Sequence, residues 1–444
     1  MAENSWDAVI IGAGAAGLMA ARTLAEASRS VLLLEARDRI GGRIWTRHEI
    51  DTASPVELGA EFIHGEIPQT LNLLHEVGGT AVDTEKAHWT LLHGKLQKRT
   101  EDLFEQVQKA MKAADLLGKP DVSFQEFLDQ SNRYGLSEEA GALARRFVQG
   151  FDAADPARVS AQSIAKEWSS GGMLDAPQFR PLGGYSSVLR ALAGKLNRNN
   201  VHVQLQTVVK AVRWQPGIVE IEGSCADQTF RVKARKAIVT VPIGVLQLPE
   251  DAPAAIHFSP ALEEKRAALA GILSGPVLKV VLRFRSVFWE ELDDGRYRDA
   301  SFFHSLETTF PTLWTSMPLR SPFLIAWMGG PPAEHLSQQS DARIAREALE
   351  SVETIFGGRL PGDKAQLEAA FIHNWQKDPF SCGAYSYVSV GNNDTARRNL
   401  ATPLQETLFF AGEATDTEGE TATVAGALQS GVRAACEVDE SLRS

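Results

Sequence analysis

Residues 7–17 read DAVIIGAGAAG, and this stretch indicates the start of a nucleotide-binding βαβ unit. A short run rich in β-branched residues precedes glycines with the spacing Gly-x-Gly-x-x-Gly, at Gly12, Gly14 and Gly17. The first glycine of such a turn permits the tight bend, the second lets a pyrophosphate approach the backbone, and the third lets helix and strand pack closely. Residues 15–27 are rich in alanine and leucine and predict a helix. We therefore expect a strand, a turn and a helix whose N-terminus faces a phosphate.

The second strand of the unit ends in an acidic residue. Residues 30–35 read SVLLLE, which is typical of a buried parallel strand. Glu35 lies 18 residues after Gly17, where a carboxylate can accept both ribose hydroxyls and would repel a 2′-phosphate. Strand, turn, helix and acid together predict a dinucleotide site. The motif alone does not separate NAD from FAD.

Composition places the chain among ordinary globular proteins. Of its 444 residues, 44% are hydrophobic and 23% are charged, which excludes a disordered or fibrous chain. The net charge of −11 and the lack of a basic run make nucleic acid and anionic lipid poor partners. No uncharged run approaches the ~20 residues that a membrane helix needs.

Cysteine and histidine usage gives no sign of disulfides or metal. Cys225, Cys382 and Cys436 lie far apart and form no CxxC pair, so a reducing, cytoplasmic location is the simplest expectation. The ten histidines form no HExxH motif and no cluster with cysteines, so we expect no metal site.

Local patterns along the rest of the chain indicate more than one domain. Residues from about 100 to 166 have apolar positions at helical spacing and predict a helical insertion. Residues 230–232 and 237–242 predict two separate strands, and residues 277–284 alternate like a half-buried strand. The chain ends with a predicted strand at 407–411 and a helix from about residue 423 to 438. Nucleotide-domain pieces therefore stand at both ends.

Segments along most of the chain resemble the FAD-dependent amine oxidase family, which includes monoamine oxidases, polyamine oxidases and histone lysine demethylases. The motifs are closest to the last two groups. Residues 35–43, EARDRIGGR, resemble the entry to the flavin site, and residues 57–65, ELGAEFIHG, look like the polyamine oxidase loop along the isoalloxazine ring. Residues 205–209 are similar to the segment whose valine backbone holds the adenine. Residues 410–415 and 422–427 resemble the C-terminal flavin motif.

The resemblance implies an α/β fold in which a Rossmann-like FAD-binding domain is interleaved with an α+β substrate-binding domain carrying a helical insertion. The predicted FAD-binding domain comprises residues 1–75, 195–275 and 395–444. The predicted substrate-binding domain comprises residues 76–194 and 276–394.

The resemblance also implies the cofactor contacts. Arg43 can pair with the pyrophosphate, the backbone of Val209 would hold the adenine, and Glu413 would take a ribityl hydroxyl. The residues expected to contact FAD are Gly12, Gly14, Ala15, Ala16, Gly17, Glu35, Arg37, Gly42, Arg43, Gly59, Ala60, Glu61, Phe62, Val209, Trp375, Glu413, Thr423 and Val424.

Three residues match catalytic positions of the family. Lys279 matches the lysine that holds a water near flavin N5 and is expected to support flavin reoxidation and imine hydrolysis. Tyr385 matches one wall of the aromatic substrate cage. Thr423 occupies the opposite wall, where several relatives have a second tyrosine. A lysine on an alternating strand could instead face solvent, and Tyr385 could be a core aromatic.

Substrate contacts are predicted from the loop at residues 57–68 and from the cage segment. His64, Glu61 and Trp375 are the expected substrate-binding residues, although a polar loop residue such as His64 can equally be structural. The loop contains no arginine, which counts modestly against an amino-acid substrate. Arg180 or another distant arginine could serve that role.

We expect non-covalent FAD, because relatives with a flavin thioether carry the cysteine immediately before the cage tyrosine. Ala384 holds that position here, and Cys382 lies three residues before Tyr385. The family implies oxidation of a small-molecule amine, a polyamine or another primary or secondary amine, with O2 as acceptor. The alternatives are an L-amino-acid oxidase, a flavin desaturase or dehydrogenase using another acceptor, and a non-catalytic FAD-binding scaffold. The sequence does not indicate the oligomeric state.

Overall fold

The computed structural model describes residues 5–49, 52, 54–84, 87–98, 102–168, 176–196, 200–226, 228–358, 360–392 and 394–444. Its strands are β1 Ser5–Ile11, β2 Val31–Leu34, β3 Thr46–Arg47, β4 Val56–Glu57, β5 Ile63–His64, β6 Ala81–Asp83, β7 Ala87–Leu92, β8 Lys95–Lys98, β9 Gln178–Pro181, β10 Val201–Gln204, β11 Thr207–Gln215, β12 Ile218–Cys225, β13 Gln228–Val239, β14 His257–Ser259, β15 Ile272–Gly275, β16 Val277–Phe284, β17 Ala300–Ser305, β18 Thr312–Thr315, β19 Phe323–Gly329, β20 Leu367–Ile372, β21 Tyr385–Val388 and β22 Leu408–Phe410.

Its α-helices are α1 Ala15–Glu26, α2 Pro68–Glu76, α3 Asp102–Ala114, α4 Phe124–Asp129, α5 Glu138–Gly150, α6 Ala161–Glu167, α7 Ser186–Gly194, α8 Ile243–Leu246, α9 Arg266–Gly271, α10 Pro331–Ser337, α11 Asp341–Ile355, α12 Asp394–Ala401 and α13 Val424–Arg443. Within these described ranges, no helix has both the length and the apolar character that crossing a bilayer would require.

The first sheet contains the predicted βαβ unit. In the described residues its strand order is β10-β2-β1-β13-β12-β11-β14, with β22 also paired to β13. The β10–β2, β2–β1, β1–β13 and β13–β22 pairs are all parallel. Every residue of β2 is buried, as expected for a parallel strand that is covered on both faces. The predicted first strand, helix and second strand are therefore confirmed.

The two ends of the chain meet on one face of this sheet. Helix α13 packs on α1 in a core of small and branched apolar side chains. A Cβ added at Gly431 would lie 2.4 Å from the carbonyl oxygen of Ala16, so the absent side chain allows the two helices to approach closely. The prediction of two short strands at 230–232 and 237–242 is wrong, because β13 is one continuous strand that joins the antiparallel β12 to the parallel β1.

The second sheet has the order β20-β16-β19-β18-β17-β7-β8 in the described residues. The alternating pattern of β16 predicted one solvent face, and this is wrong. Seven of its eight residues are buried, because α10 and α11 contribute to a core on one face and a second apolar cluster forms on the other. Lys279, in the middle of β16, is therefore buried instead of pointing to solvent.

The predicted insertion is helical, with α3 to α6 in residues 102–167; Thr100 and Glu101, at its predicted start, lie outside the described residues. Helix α7 was assigned to the substrate-binding domain, yet it packs in the core around α1. The domain boundaries stay a prediction. Residues 1–4, at the start of the predicted FAD-binding domain, also lie outside the described part.

Candidate active site

One cavity of about 1200 Å³ extends from the glycine turn to the second sheet. A pocket for a single small ligand is usually about 300–1,000 Å³, so this cavity has room for a cofactor and a substrate together. It receives residues from the turn before α1, the loop before β5, strand β16, strand β21 and the start of α13.

Two glycines of the turn have different roles: Gly17 serves helix–strand packing, and Gly14 faces the cofactor space. A Cβ added at Gly17 would lie 1.9 Å from the carbonyl oxygen of Gly12, whereas one added at Gly14 would meet nothing within 4 Å. Gly14 lines the cavity and Gly17 is not among its lining residues. Gly17 therefore brings helix and strand together, and Gly14 leaves the space into which a pyrophosphate fits.

Glu35 is held in place by backbone N–H groups. The N–H of Ala13 donates to Glu35 Oε2 at 2.8 Å, and the N–H of Arg37 donates to Glu35 Oε1 at 2.9 Å. A carboxylate has about four lone-pair sites, so its cavity side can still accept ribose hydroxyls. Arg37 itself donates to Asp378 Oδ1 at 2.7 Å and to Ser381 Oγ at 2.8 Å, which ties the nucleotide side to the segment before β21.

A second charged cluster joins residues from distant parts of the chain. Arg43 Nη1 donates to Glu413 Oε1 at 3.0 Å, and Ser386 Oγ donates to Glu413 Oε2 at 2.6 Å. Arg397 Nη1 donates to Ser386 Oγ at 2.7 Å. Burial acts to raise the pKa of Glu413, but Arg43 and Arg397 hold it below its usual range. Arg43 has five N–H donors and keeps some of them for a phosphate.

The predicted cofactor residues converge on this cavity, with Gly17 as the exception described above. Those that line it are Gly12, Gly14, Ala15, Ala16, Glu35, Arg37, Gly42, Arg43, Gly59, Ala60, Glu61, Phe62, Val209, Trp375, Glu413, Thr423 and Val424. The donor set, the open face of Gly14 and the cavity volume together fit FAD.

Thr423 caps helix α13. Its Oγ1 accepts from the N–H of Gly426 at 3.1 Å and donates to the carbonyl of Glu420 at 2.7 Å. Both hydrogen bonds of the hydroxyl are therefore made to backbone groups. The cap lies at the N-terminus of α13, whose positive end is directed at the cavity. Thr423 contributes to the site as a cap and a wall, and we assign it no proton-transfer role.

The buried carboxylate of Glu61 lies between two cations. Its Oε2 lies 2.6 Å from Lys279 Nζ, and its Oε1 lies 2.8 Å from Nη2 of Arg180. Trp314 Nε1 also donates to Glu61 Oε1 at 3.1 Å. Burial acts to raise the pKa of Glu61, but Lys279 and Arg180 hold it below its usual range. Lys279 donates in addition to the carbonyl of Gly59 at 3.0 Å.

These ion pairs change two sequence-based assignments. Glu61 was predicted to contact substrate, but its charge is already balanced, so we assign it to positioning Lys279. Arg180 was a candidate for binding a substrate carboxylate, but it donates to Glu61 and to the carbonyls of Thr315 and Met317. It is therefore a structural cation.

The predicted aromatic walls are fixed by hydrogen bonds. The hydroxyl of Tyr385 donates to the carbonyl of Phe151 at 2.7 Å, and Trp375 Nε1 donates to the carbonyl of Leu58 at 2.9 Å. Burial raises the pKa of the Tyr385 phenol well above its usual value. Tyr385 is therefore a neutral, immobile wall of the cavity.

His64 lines the same cavity as a neutral ring. Burial lowers its pKa to about 4, so it carries no charge near pH 7. It meets Phe151 edge-on with ring centroids 5.7 Å apart, and its Nδ1 is buried without a hydrogen-bond partner.

Sequence reasoning missed several charged residues that line the cavity, among them Asp152, Glu167 and Arg397. None belongs to a recognisable motif, and the tertiary fold alone brings them together. Among the residues that the structure describes, no three or more His, Cys, Asp or Glu side chains are grouped to hold a metal. The expectation of no metal site stays a prediction.

The parallel strands around β1, the glycine turn and the connected cavity define a dinucleotide-binding protein with room for a second ligand. The family described as flavin containing amine oxidoreductase matches residues 15–439, and the chain belongs to that family. The predicted recognition, enzyme class and FAD cofactor are thereby confirmed.

Curated relatives match nearly the whole chain. Lysine-specific histone demethylase 1 homolog 3 of Arabidopsis thaliana is 28% identical over 98% of this chain, and the chain spans 30% of that protein. Lysine-specific histone demethylase 2 of Homo sapiens is 27% identical over 97% of this chain, which spans 53% of it. Polyamine oxidase 2 of Arabidopsis thaliana is 28% identical over 98% of this chain and is covered over 88% of its length.

Solved structures show the same fold. Wild-type putrescine oxidase bound to putrescine has a TM-score of 0.80 at 22% identity, covering 98% of this chain and 99% of that one. Cyclohexylamine oxidase from Brevibacterium oxydans has a TM-score of 0.80 at 21% identity, covering 99% and 100%. The predicted fold class is confirmed by these likenesses.

A first prediction separates the two glycines of the turn. Gly14→Ala adds a methyl group where the backbone has φ −73°, which alanine adopts, and where no protein atom lies within 4 Å. We expect the apoprotein to keep its melting temperature while FAD binds about tenfold or more weakly, because the methyl enters the pyrophosphate space. Gly17→Ala, the matched variant, should lower the apoprotein melting temperature. Unchanged FAD affinity in Gly14→Ala would contradict this assignment.

A second prediction compares the members of the buried ion cluster. Glu61→Gln removes the carboxylate that Lys279 and Arg180 share, and breaking a buried ion pair in this way costs about 3–5 kcal/mol. Lys279→Met keeps the pair of Glu61 with Arg180, so we expect a smaller drop in melting temperature. Glu222 lies between Arg213 and Arg231 on the surface, and Glu222→Gln, the control, should change little. The melting temperatures are measured by circular dichroism. An equal drop in melting temperature in Lys279→Met and Glu61→Gln would refute this ranking.

Proposed function

We propose that the protein oxidises primary or secondary amines, with polyamines as the leading substrate class, and that O2 is the electron acceptor and is released as H2O2. Bound FAD supplies the hydride acceptor. The imine product hydrolyses to a carbonyl compound and, from a primary amine, ammonia or, from a secondary amine, a smaller amine. The observation that carries the proposal is the continuity of one cavity from Gly14 through Lys279 to Tyr385.

Names among the relatives support the substrate class. Polyamine oxidase 2 is a sequence relative over most of its length, and the structural neighbours include a putrescine oxidase and a cyclohexylamine oxidase. Each name refers to oxidation of an amine. These names cover both linear and ring-bearing amines, so they do not fix the size of the substrate. The wall opposite Tyr385 affects that size, because Thr423 is smaller than an aromatic residue and leaves the cage open on one side.

The cavity walls favour the neutral form of the reacting amine. Hydride loss requires a free nitrogen lone pair, and a buried site lowers the pKa of an amine by removing water from its charged form. Tyr385 is held rigidly by Phe151 and His64 is neutral, so these walls orient the amine by shape more than by charge.

The proposed role of Lys279 in reoxidation requires a free N–H donor for a water molecule, and its contacts are consistent with that role. Two of its contacts are to Glu61 and to the carbonyl of Gly59. An ammonium has three N–H donors, so one donor remains for a water in the cavity that Lys279 lines.

We also propose a cytoplasmic location. Cys225, Cys382 and Cys436 are all free thiols, which is consistent with a reducing compartment.

The test of the function is a panel of amines, amino acids and non-amine reductants mixed with the FAD-loaded protein without oxygen. We expect bleaching of the flavin absorbance by primary or secondary amines, followed by recovery of colour and release of H2O2 on exposure to air. Bleaching by L-amino acids alone would favour an amino-acid oxidase. Bleaching by amines without recovery in air would favour a dehydrogenase with another acceptor. No bleaching by any compound would refute the proposed oxidation.

A further prediction concerns the attachment of the cofactor. Cys382 is not among the described residues that line the cavity, and its thiol faces the carbonyls of Asp378 and Pro379. Burial raises the pKa of this thiol, which disfavours the reactive thiolate. We expect acid precipitation to release all yellow colour into the supernatant, from the wild type and from Cys382→Ser alike. Flavin retained on the wild-type pellet would show a covalent bond.

A further inference from the structure

A second, small cavity adjoins the buried carboxylate of Glu61. Its volume is about 20 Å³, which is enough for one water molecule. Glu57, Glu61 and Arg180 supply charged groups to its lining, and Ser316 supplies a hydroxyl. Glu61 is also among the described residues that line the large cavity, whereas Glu57 is not. The carboxylate of Glu61 therefore stands between the two spaces, and Glu57 borders the inner one.

Glu57 is held in one orientation by hydrogen bonds. The N–H of Tyr185 donates to Glu57 Oε1 at 2.7 Å, and Thr46 Oγ1 donates to Glu57 Oε2 at 2.9 Å. A Cβ added at Gly184 would lie 2.6 Å from Glu57 Oε1, so this glycine leaves the space that the carboxyl group occupies. A carboxylate has about four lone-pair sites, so Glu57 can also contact a water in the small cavity.

The charged and titratable groups around Glu57 come from other segments of the chain. Lys279 on β16 attracts its ionised form and Glu61 repels it, while Arg180 on β9 borders the same small cavity. The phenol of Tyr185 stays neutral, because burial raises its pKa. Burial is also the main influence on Glu57 and raises its pKa to about 7. With Glu57 ionised, two cations face two carboxylates; with Glu57 protonated, the cluster has one net positive charge.

A line of polar groups joins Glu57 to the large cavity. A water in the small cavity can contact Glu57 and Glu61, since both line it. Glu61 Oε2 lies 2.6 Å from Lys279 Nζ, and Lys279 lines the large cavity. Groups within hydrogen-bond reach, directly or through one water, can exchange protons. Because Lys279 and Arg180 hold the pKa of Glu61 below its usual range, a proton that enters this line comes to rest on Glu57.

Oxidation of an amine by O2 requires a place to keep one proton. An alkyl amine near pH 7 is an ammonium in water, as lysine is with a pKa of about 10.4, and it must lose a proton before it can transfer a hydride. O2 takes up two electrons and two protons when it becomes H2O2. The hydride accounts for both electrons and one proton. The proton lost by the ammonium is the second one, and it is released before O2 reacts.

We propose that Glu57 is the proton store of this active site: it takes up the proton that the ammonium loses, and it returns that proton when O2 becomes H2O2. The proton passes through Lys279, Glu61 and the water of the small cavity in both directions. This inference rests on the proposed amine oxidation and deepens it. Because Glu57 acts through Glu61 and Lys279, it is a positioning residue for the proton and not a catalytic residue.

The test is the pH dependence of the reduction potential of bound FAD, which requires neither an amine nor O2. A pH unit is a tenfold change in proton concentration, and it shifts the potential by ~30 mV for each proton taken up with two electrons. FAD itself takes up one proton when it forms the anionic reduced cofactor. The added negative charge raises the pKa of a nearby acid, so we expect Glu57 to take up a second proton wherever it is ionised beforehand.

In the wild type we expect a slope of ~30 mV per pH unit at about pH 6, where Glu57 is already protonated, and ~60 mV at about pH 8. In Glu57→Gln the side chain keeps its shape and cannot take up a proton, so we expect ~30 mV per pH unit throughout. A wild-type slope that does not steepen between these pH values would overturn the proton store, whatever the variant does. Equal slopes in the wild type and Glu57→Gln would also overturn it.

Thr46→Val is the matched control. It removes a hydrogen bond to Glu57 and one to the N–H of Ser186, but it leaves the carboxyl group in place. It should lower the melting temperature and keep the steeper slope, at the same or a higher pH, because the Thr46 hydrogen bond lowers the pKa of Glu57. Loss of the steeper slope in Thr46→Val would assign the effect to the structure around α7 and contradict the proposal. If no amine bleaches the flavin, the proposed function fails, whereas the potentials still decide whether Glu57 takes up a proton.

Discussion

The architecture of the active site depends on the burial of Glu61 between Lys279 and Arg180. These residues come from the loop before β5, from β16 and from β9, so one carboxylate connects the flavin-side loop to the second sheet. Separating any of these charges inside the protein is costly, because a buried ion without its partner loses both hydration and Coulomb energy. The position of Lys279, and with it the shape of the cavity beside Gly59, therefore follows from this cluster.

A second polar cluster explains why distant segments of the chain meet at the cofactor. Arg43 follows the first βαβ unit, Ser386 lies on β21, and Glu413 precedes α13, yet all three are joined by short hydrogen bonds. Together with the contact of α13 with α1 at Gly431, these bonds complete the cofactor site only when both chain ends are in place. The cofactor site is therefore assembled from segments that are far apart in the sequence.

The nucleotide half of the site could be read from local sequence, because its signals are short-range. A turn between Gly12 and Gly17, a buried strand and a following acid are set by backbone geometry within about thirty residues. The substrate half could not be read in this way. The alternation in β16 suggested a solvent face for Lys279, and only the clusters on both sides of the sheet show that it is buried. The sequence placed Glu61 near the flavin, but its partner Arg180 lies far along the chain, so the ion pair could not be predicted. Asp152 and Glu167 likewise meet only through the packing of the helical insertion.

The charges around Lys279 bear on the protonation state of an amine that enters the cavity. Lys279 and Arg180 share the carboxylate of Glu61. Glu57 also interacts with Lys279, but burial raises the pKa of Glu57 to about 7, so its negative charge is only partly developed near neutral pH. A cation held at the cavity lowers the pKa of a nearby amine. The cluster that fixes the position of Lys279 therefore also favours the neutral amine that the proposed hydride transfer requires.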